Sequence, residues 1–148
     1  MKKIEARIIP SRLTYTIRNK VLWPHKKIEN CKLSTDELAS TYHIGTFFQE
    51  GLISIGTFIK ENNQNFDEIL SQYRLRAMGT SKDYQGISGG KTLLLYAIKF
   101  LKEKKTNLIW CDARINAVPF YKSIGFKAKG NIYNIPLIGQ HKLMYIYL

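Results

Sequence analysis

The sequence predicts an α/β fold, and three observations carry that expectation. Two β-rich runs, TYHIGTFFQ and LISIGTFIK, follow one another across a short turn at Glu50-Gly51, the pattern of a β-hairpin. Further along, the strand-like YRLRAMGT passes through the glycine loop DYQGISGGKT (Asp83–Thr92) into a helical run and then into the apolar NLIWCDA. Strand, loop, helix and strand in that order form a parallel βαβ crossover. Finally, 148 residues, 45% of them hydrophobic and only four of them proline, can bury a sizeable core, so residues 1–148 are expected to form a single domain.

The elements follow in order. Ile4–Ile9 reads as a strand, and Ser11 then caps a helix whose Leu13, Ile17 and Val21 share one stripe and which ends before Pro24. Residues 25–40 are polar and irregular; after the hairpin, ENNQNFDEILSQ is a connector. The helix after the glycine loop should run from about Gly89 to Lys105, with Leu93, Leu94, Ala97, Ile98 and Leu101 on one face. INAVPFYKSIGF is a short helix with Asn116 as its N-cap and Pro119 in the first turn, where a missing N–H costs nothing. Gly125 ahead of Phe126 supplies the left-handed stop. KAKGNIYNI and HKLMYIYL add two strands around the loop PLIGQ.

Twenty-three Lys and Arg against 11 Asp and Glu give a formal net charge of +12. The densest groups, KEKK at Lys102–Lys105 and HKK at His25–Lys27, are short and the rest is scattered. Such charge is expected to be solvated and to help draw in an anionic cofactor, and a nucleic-acid partner is not expected. Cys31 and Cys111 have neither metal-ligand spacing nor the density of a disulfide scaffold, and read as buried free thiols. His25, His43 and His141 stand far apart, so no metal is expected. No apolar run approaches the roughly 18–20 residues of a membrane span, and the opening MKKIEARIIPSRL breaks at Arg7 and Pro10 before a signal-peptide core forms. The expectation is a cytoplasmic protein with no membrane partner.

The glycine loop carries the chemistry. Glycines free to turn, with no β-carbon in the way and a helix N-terminus behind them, are the ingredients of an anion cradle. The loop is not the phosphate-binding loop of nucleoside triphosphatases, because Gln85 occupies the position of the required first glycine. Nor is it the dinucleotide fingerprint, which wants glycine where Ser88 and Lys91 stand.

Read from Gln85, the stretch Gln85-Gly86-Ile87-Ser88-Gly89-Gly90 resembles the Q/R-x-x-G-x-G/A signature of the GCN5-related N-acetyltransferases (GNAT), with Ser88 in place of the first glycine. Downstream, AVPFYKSIGF resembles that family's A-x-x-x-Y-x-x-x-G-F helix, with Ala117, Tyr121, Gly125 and Phe126 in register. Upstream, LRAMGTSKDY resembles the strand and bulge before the loop. The separation of the motifs fits, and the resemblance spans about residues 4–148, towards small bacterial members of unassigned substrate. Arg114 stands where many members carry asparagine.

The resemblance implies the acyl-CoA N-acyltransferase fold: a mixed, mostly antiparallel sheet with a central βαβ unit and flanking helices. It implies acetyl transfer from acetyl-CoA to a primary amine by direct attack. Gln85, Gly86, Ile87, Ser88, Gly89, Gly90 and Lys91 would hold the pyrophosphate, with Ser88 serving if its φ is negative. The backbone of Met78 and Thr80 would pair with the pantetheine arm, and Tyr121 would protonate the departing thiolate. Tyr121 read by periodicity alone is a core residue. Strand 73–80 holds no carboxylate to act as base. His141, in the loop between the last two strands, and His43, in the first hairpin, have suitable intrinsic pKa values. The acceptor would lie between the segment after Trp23 and the loop Ile135–His141. The resemblance leaves room for a homodimer. Two rivals remain open, a coenzyme A sensor of the same fold without turnover and a basic nucleic-acid-binding domain.

Overall fold

In the computed structural model, which describes residues 3–148, seven strands form one sheet. They are β1 (Ile4–Ile9), β2 (Tyr42–Phe48), β3 (Gly51–Lys60), β4 (Gln72–Thr80), β5 (Leu108–Arg114), β6 (Lys127–Ile135) and β7 (Gly139–Tyr147), in the spatial order β1-β2-β3-β4-β5-β7-β6. The central β4–β5 pair is parallel and every other pair antiparallel, so the mixed, mostly antiparallel sheet is as expected. The parallel pair is joined by α2 (Gly89–Glu103), which completes the βαβ unit. No helix among the described residues is long and apolar enough to cross a membrane.

The period-2 alternation of the strands builds two faces. On one, Leu93, Leu94, Ala97 and Leu101 of α2 pack on Ile44, Phe58, Tyr73, Leu75, Ile109 and Cys111, and α3 (Val118–Ile124) adds Tyr121. The opposite face holds Ile55 against Ile9 and Ile17, and further along Trp110 and Leu143 against Phe66. Cys31 and Cys111 are both buried free thiols.

The hairpin turn falls one residue earlier than expected. Phe48 faces Gly51, so Gln49 and Glu50 form the turn, at φ +51° and +67°. The first helical segment also departs from its expected form. It is a 3₁₀ turn (Ser11–Thr14), then α1 (Tyr15–Ile17), then a wide π turn (Arg18–Leu22) closed by the Trp23 N–H on the Arg18 carbonyl at 2.8 Å. Its buried face is Thr14, Ile17 and Arg18, while Leu13 is exposed. Ser11 is not a cap, because its hydroxyl donates to Glu37 instead.

That segment is bolted to the sheet by a buried charge. Arg18 is fully buried and meets Asp36 through two parallel bonds, Nη1 to Oδ2 at 2.7 Å and Nη2 to Oδ1 at 2.9 Å. Its remaining Nη protons reach the Cys31 carbonyl and Thr57 Oγ1. Burial alone would raise the Asp36 pKa, but the Arg18 hydrogen bonds, the Leu33 N–H and the nearby charges outweigh it and the net shift is downward. His43 belongs to the same cluster, with Nδ1 on Thr57 Oγ1 and Nε2 on the Asp36 carbonyl, each at 2.9 Å.

Asp36→Asn leaves a buried guanidinium without its counter-ion and should cost about 3–5 kcal/mol in urea unfolding at neutral pH. Because the folded-state pKa of Asp36 lies below its unfolded value, the contribution is complete above about 3.9 and is lost as pH falls through the folded-state value. The gap between wild type and variant should therefore narrow under acid conditions. An unchanged unfolding midpoint at pH 7 would remove Asp36 from this role.

Candidate active site

The site originates where β4 and β5 part. Their pairing covers only Gln72–Arg74 against Leu108–Trp110. Beyond it β4 keeps its partner β3 but loses β5, and a β-bulge intervenes where the β3 register shifts between Ile55 and Thr57. Ala77, at φ +53°, is the extra residue. The bulge moves the alternation by one: Tyr73 and Leu75 face α2 before it, and Met78 packs against the same cluster after it. Ser81 donates its N–H to the Ile53 carbonyl at 2.7 Å. By alternation along the strand, the backbone groups of Thr80 and Met78 then point away from β3, into the opening.

A cleft of about 780 Å³ occupies that opening on the α2 side. Met78, Thr80, Gln85, Gly86, Ser88, Gly89, Gly90, Lys91 and Tyr121 all line it, so nearly every expected cofactor residue shares one wall. Ile87 is the exception: it is exposed and lies outside the lining. Thr92 N–H is the first in α2 to find an intrahelical acceptor, the Ser88 carbonyl at 2.9 Å. The N–H groups of Gly89, Gly90 and Lys91 are therefore free for an anion, and the helix adds partial positive charge. Gly89 allows α2 to sit this low, since a β-carbon there would lie 2.5 Å from Ser54 Oγ.

Ser88 corrects an expectation. Its φ is +70° rather than negative, and its side chain makes no capping bond. The loop therefore imposes a left-handed residue where the family signature has glycine, and the serine carries the strain. Asn116 is corrected too: it lies in a 3₁₀ turn (Ile115–Ala117), and α3 starts behind Ala117 without a side-chain cap. Gly125 ends α3 as expected, at φ +116°, with the Phe126 N–H on the Tyr121 carbonyl.

Tyr121 projects from α3 to the junction of two cavities and is largely buried, its hydroxyl 3.9 Å from Met78 Sδ. Burial, then the adjacent Cys111, raises its pKa well above the ordinary tyrosine value. Burial likewise pushes the Cys111 thiol up to about 12. Both groups are thus protonated at neutral pH.

The second cavity, about 280 Å³, lies in the split itself, lined by Arg74, Arg76 and Asp112 of one face and by Leu75, Cys111 and Tyr121 of the α2 face. Leu22, Trp23, Ile135, Ile138 and His141 border it, which is where the acceptor was expected. His141 sits within β7 rather than in the loop before it, across from Arg114 of β5 and Tyr133 of β6. Its Nδ1 lies 2.8 Å from the Gly139 carbonyl. A carbonyl only accepts, so Nδ1 is the donor there and Nε2 is the ring nitrogen left without a partner among the described residues. His43 lines neither cavity and both its ring nitrogens are engaged, so it is no candidate base.

Sequence reading missed the charged lining of this cavity: Arg74, Arg76 and Asp112. Arg74 bridges Glu61 at 3.1 Å and Asp112 at 2.8 Å and lies over the Trp110 ring. Asp112 also accepts from the Tyr133 hydroxyl. The signal was present in YRLRAM, where arginines alternate with buried Tyr73 and Leu75 and so must share the other face.

Comparison with known proteins agrees with this geometry. Residues 17–135 match the family described as acetyltransferase (GNAT) domain. The chain is 37% identical over 142 residues to the uncharacterized N-acetyltransferase YitI of Bacillus subtilis (strain 168), covering 96% of this chain and 95% of that one. Its fold is similar to the crystal structure of Escherichia coli ElaA (TM-score 0.74, 17% identity, 98% and 99% of the two chains). It is also similar to an aminoglycoside 6'-N-acetyltransferase complexed with coenzyme A (TM-score 0.71, 12% identity, 97% and 96%).

Two substitutions test the loop geometry by denaturant unfolding. Ser88→Gly relieves a left-handed residue and should stabilise by about 0.5–1 kcal/mol. Gly89→Ala should destabilise by about 1–3 kcal/mol, because its methyl meets Ser54. Destabilisation by Ser88→Gly would contradict the left-handed assignment.

Proposed function

The chain belongs to the GNAT acetyltransferase family and is an acyltransferase, and from that premise we propose that it moves acetyl from acetyl-CoA to a primary amine by direct attack. The observation that carries this reading is the opening between β4 and β5, which runs from the free N–H groups of α2 to the Tyr121 hydroxyl and meets a second cavity there. In this reading residues 1–148 work as one domain in the cytoplasm.

The residues present fit the coenzyme. Gly86, at φ +86° with open space beside it, and the unpaired N–H groups of Gly89, Gly90 and Lys91 suit a pyrophosphate, and the Lys91 side chain adds charge. Gln85, weakly tied to the Thr80 carbonyl at 3.4 Å, is free to turn towards a phosphate oxygen. When bound, acetyl-CoA supplies the acetyl thioester. The outward backbone of Met78 and Thr80 extends the sheet along the pantetheine arm, and an N–H of this strand polarises the thioester carbonyl. His141 Nε2 takes a proton from the acceptor nitrogen as its bond to the acetyl carbon forms. Tyr121 donates its phenolic proton to the sulfur as the carbon–sulfur bond breaks. An acceptor that arrives as an ammonium ion first gives one proton to solvent. Its second goes to His141 while Tyr121 gives one up, so the protein's net charge is unchanged, and proton exchange with solvent returns both side chains to their starting forms.

Turnover separates this reading from a coenzyme A sensor of the same fold, and coenzyme affinity separates it from a nucleic-acid-binding domain. Calorimetry should show coenzyme A binding to the wild type, weakened more than about tenfold, or roughly 1.4 kcal/mol, in Gly90→Val. That substitution presses a branched side chain on Met78 and Phe120 at the cleft wall. Tyr121→Phe keeps the ring and should lower kcat by about 10²-fold or more with little change in coenzyme affinity. Since the Tyr121 pKa is raised, the wild type should show no loss of the acid form below about pH 10. Wild-type kcat in a folded Phe variant would return Tyr121 to a packing role.

A further inference from the structure

The acceptor cavity carries charge of the wrong sign for a simple amine. An amine arrives mostly as an ammonium ion, so a site shaped for that group alone would present carboxylates. The lining instead offers Arg74, Arg76 and Arg114 against a single carboxylate, Asp112. Asp112 is already committed to Arg74 and the Tyr133 hydroxyl, and Arg74 is further paired with Glu61. The side chains of Arg76 and Arg114 have no ion pair and no hydrogen bond among the described residues. Arg76 is placed opposite Thr57, the residue that receives buried Arg18, so a second cation lies behind it. Partial burial, then the adjacent Arg74, lowers the Arg76 pKa from its ordinary value, with Glu61 and Asp112 acting in the other direction. A guanidinium remains charged under such conditions, and Arg76 and Arg114 are both exposed to solvent at the cavity, where their forks are open to an anion.

We propose that the acceptor is an amine that also bears a carboxylate, an amino-acid-like molecule, and that Arg76 grips this carboxylate in a cavity that Arg114 also lines. The proposal rests on the acetyl-transfer reading above. A planar guanidinium fork matches a carboxylate through two parallel bonds, which fixes orientation as well as affinity. With the carboxylate held on the β4 side, the amine can turn towards His141 Nε2 and the junction with the coenzyme cleft, where Tyr121 stands. Leu22, Trp23 and Ile138 give the same cavity an apolar wall for a side chain. Its volume of about 280 Å³ lies just under the roughly 300–1,000 Å³ typical of ligand sites, which favours a small molecule. The small apolar-walled space also favours a carboxylate over a bulkier phosphate ester.

The test uses matched acceptors that differ by the carboxylate: L-leucine and isopentylamine, L-phenylalanine and phenethylamine, L-lysine and cadaverine, with O-phosphoethanolamine as the phosphate arm. Free-thiol release at saturating acetyl-CoA gives kcat and KM for wild type, Arg76→Met and Arg76→Lys. At least one amino acid should exceed its decarboxylated partner by about tenfold or more in kcat/KM. Arg76→Met should raise the KM of that acid by about 10- to 100-fold and leave its amine partner within about twofold, and Arg76→Lys should restore part of the loss. Amines used as well as the acids, no transfer to any acid, preference for O-phosphoethanolamine, or an unchanged KM in a folded Arg76→Met protein would each overturn the proposal. Calorimetry with coenzyme A separates the two levels. Wild type that binds coenzyme A but ignores the carboxylate sinks this inference alone, whereas wild type that fails to bind it sinks the acetyl-transfer reading beneath.

Discussion

The proposed site depends on β4 having, beyond Arg74, a hydrogen-bonding partner on one side and none on the other. Three residues of parallel pairing, Gln72–Arg74 with Leu108–Trp110, hold the two halves of the sheet together, and then the strands separate. A strand left open in a protein interior exposes backbone donors and acceptors that must be satisfied by something. Here the exposed edge faces a cleft rather than a neighbouring strand, which makes it a template for an extended ligand. The left-handed Ala77 sharpens the separation and re-aims Met78 and Thr80, so one local irregularity sets both the direction of the free edge and the identity of the residues along it.

Separation also leaves two adjoining cavities of different character. The α2 face has glycines, free N–H groups and a helix terminus, all suited to phosphate. The second cavity, within the split, has arginines, a histidine with an available nitrogen and apolar walls, suited to a small polar acceptor. Leu22, Met78, Arg114, Asn116, Ala117 and Tyr121 border both, so in the proposed reaction donor and acceptor meet at that junction. Around it, the buried Arg18–Asp36 pair fixes the segment that carries Leu22 and Trp23 to the cavity rim. That ion pair lines neither cavity, yet it holds the segment that forms one wall.

Much of this was legible in the sequence because it rests on local rules. The glycine spacing of Gln85–Gly90, the Pro119 start and Gly125 stop of α3, and the apolar face of α2 each report backbone geometry directly. What stayed hidden depends on tertiary partners. The Gln49-Glu50 turn takes two positive φ values without Asn or Gly, so no residue preference announces it. Ser88 disguises a left-handed position behind a side chain that ordinarily avoids one. Arg18 lies in a stretch that periodicity assigns to an aliphatic stripe, and its burial makes sense only once Asp36, Thr57 and the Cys31 carbonyl converge on it from three other segments. His43 carries the same imidazole, but the fold commits it to that cluster, whereas His141 is brought to the second cavity by strand pairing.

The claim that the open edge of β4 and the start of α2 form one coenzyme site can be read residue by residue in an amide proton–nitrogen correlation titration with acetyl-CoA. The largest shifts should fall on Met78, Thr80 and Gly86–Lys91, with the amides of Arg18, Asp36 and His43 left in place. Shifts confined to other surfaces, or saturation without change at Thr80 and Gly90, would contradict it.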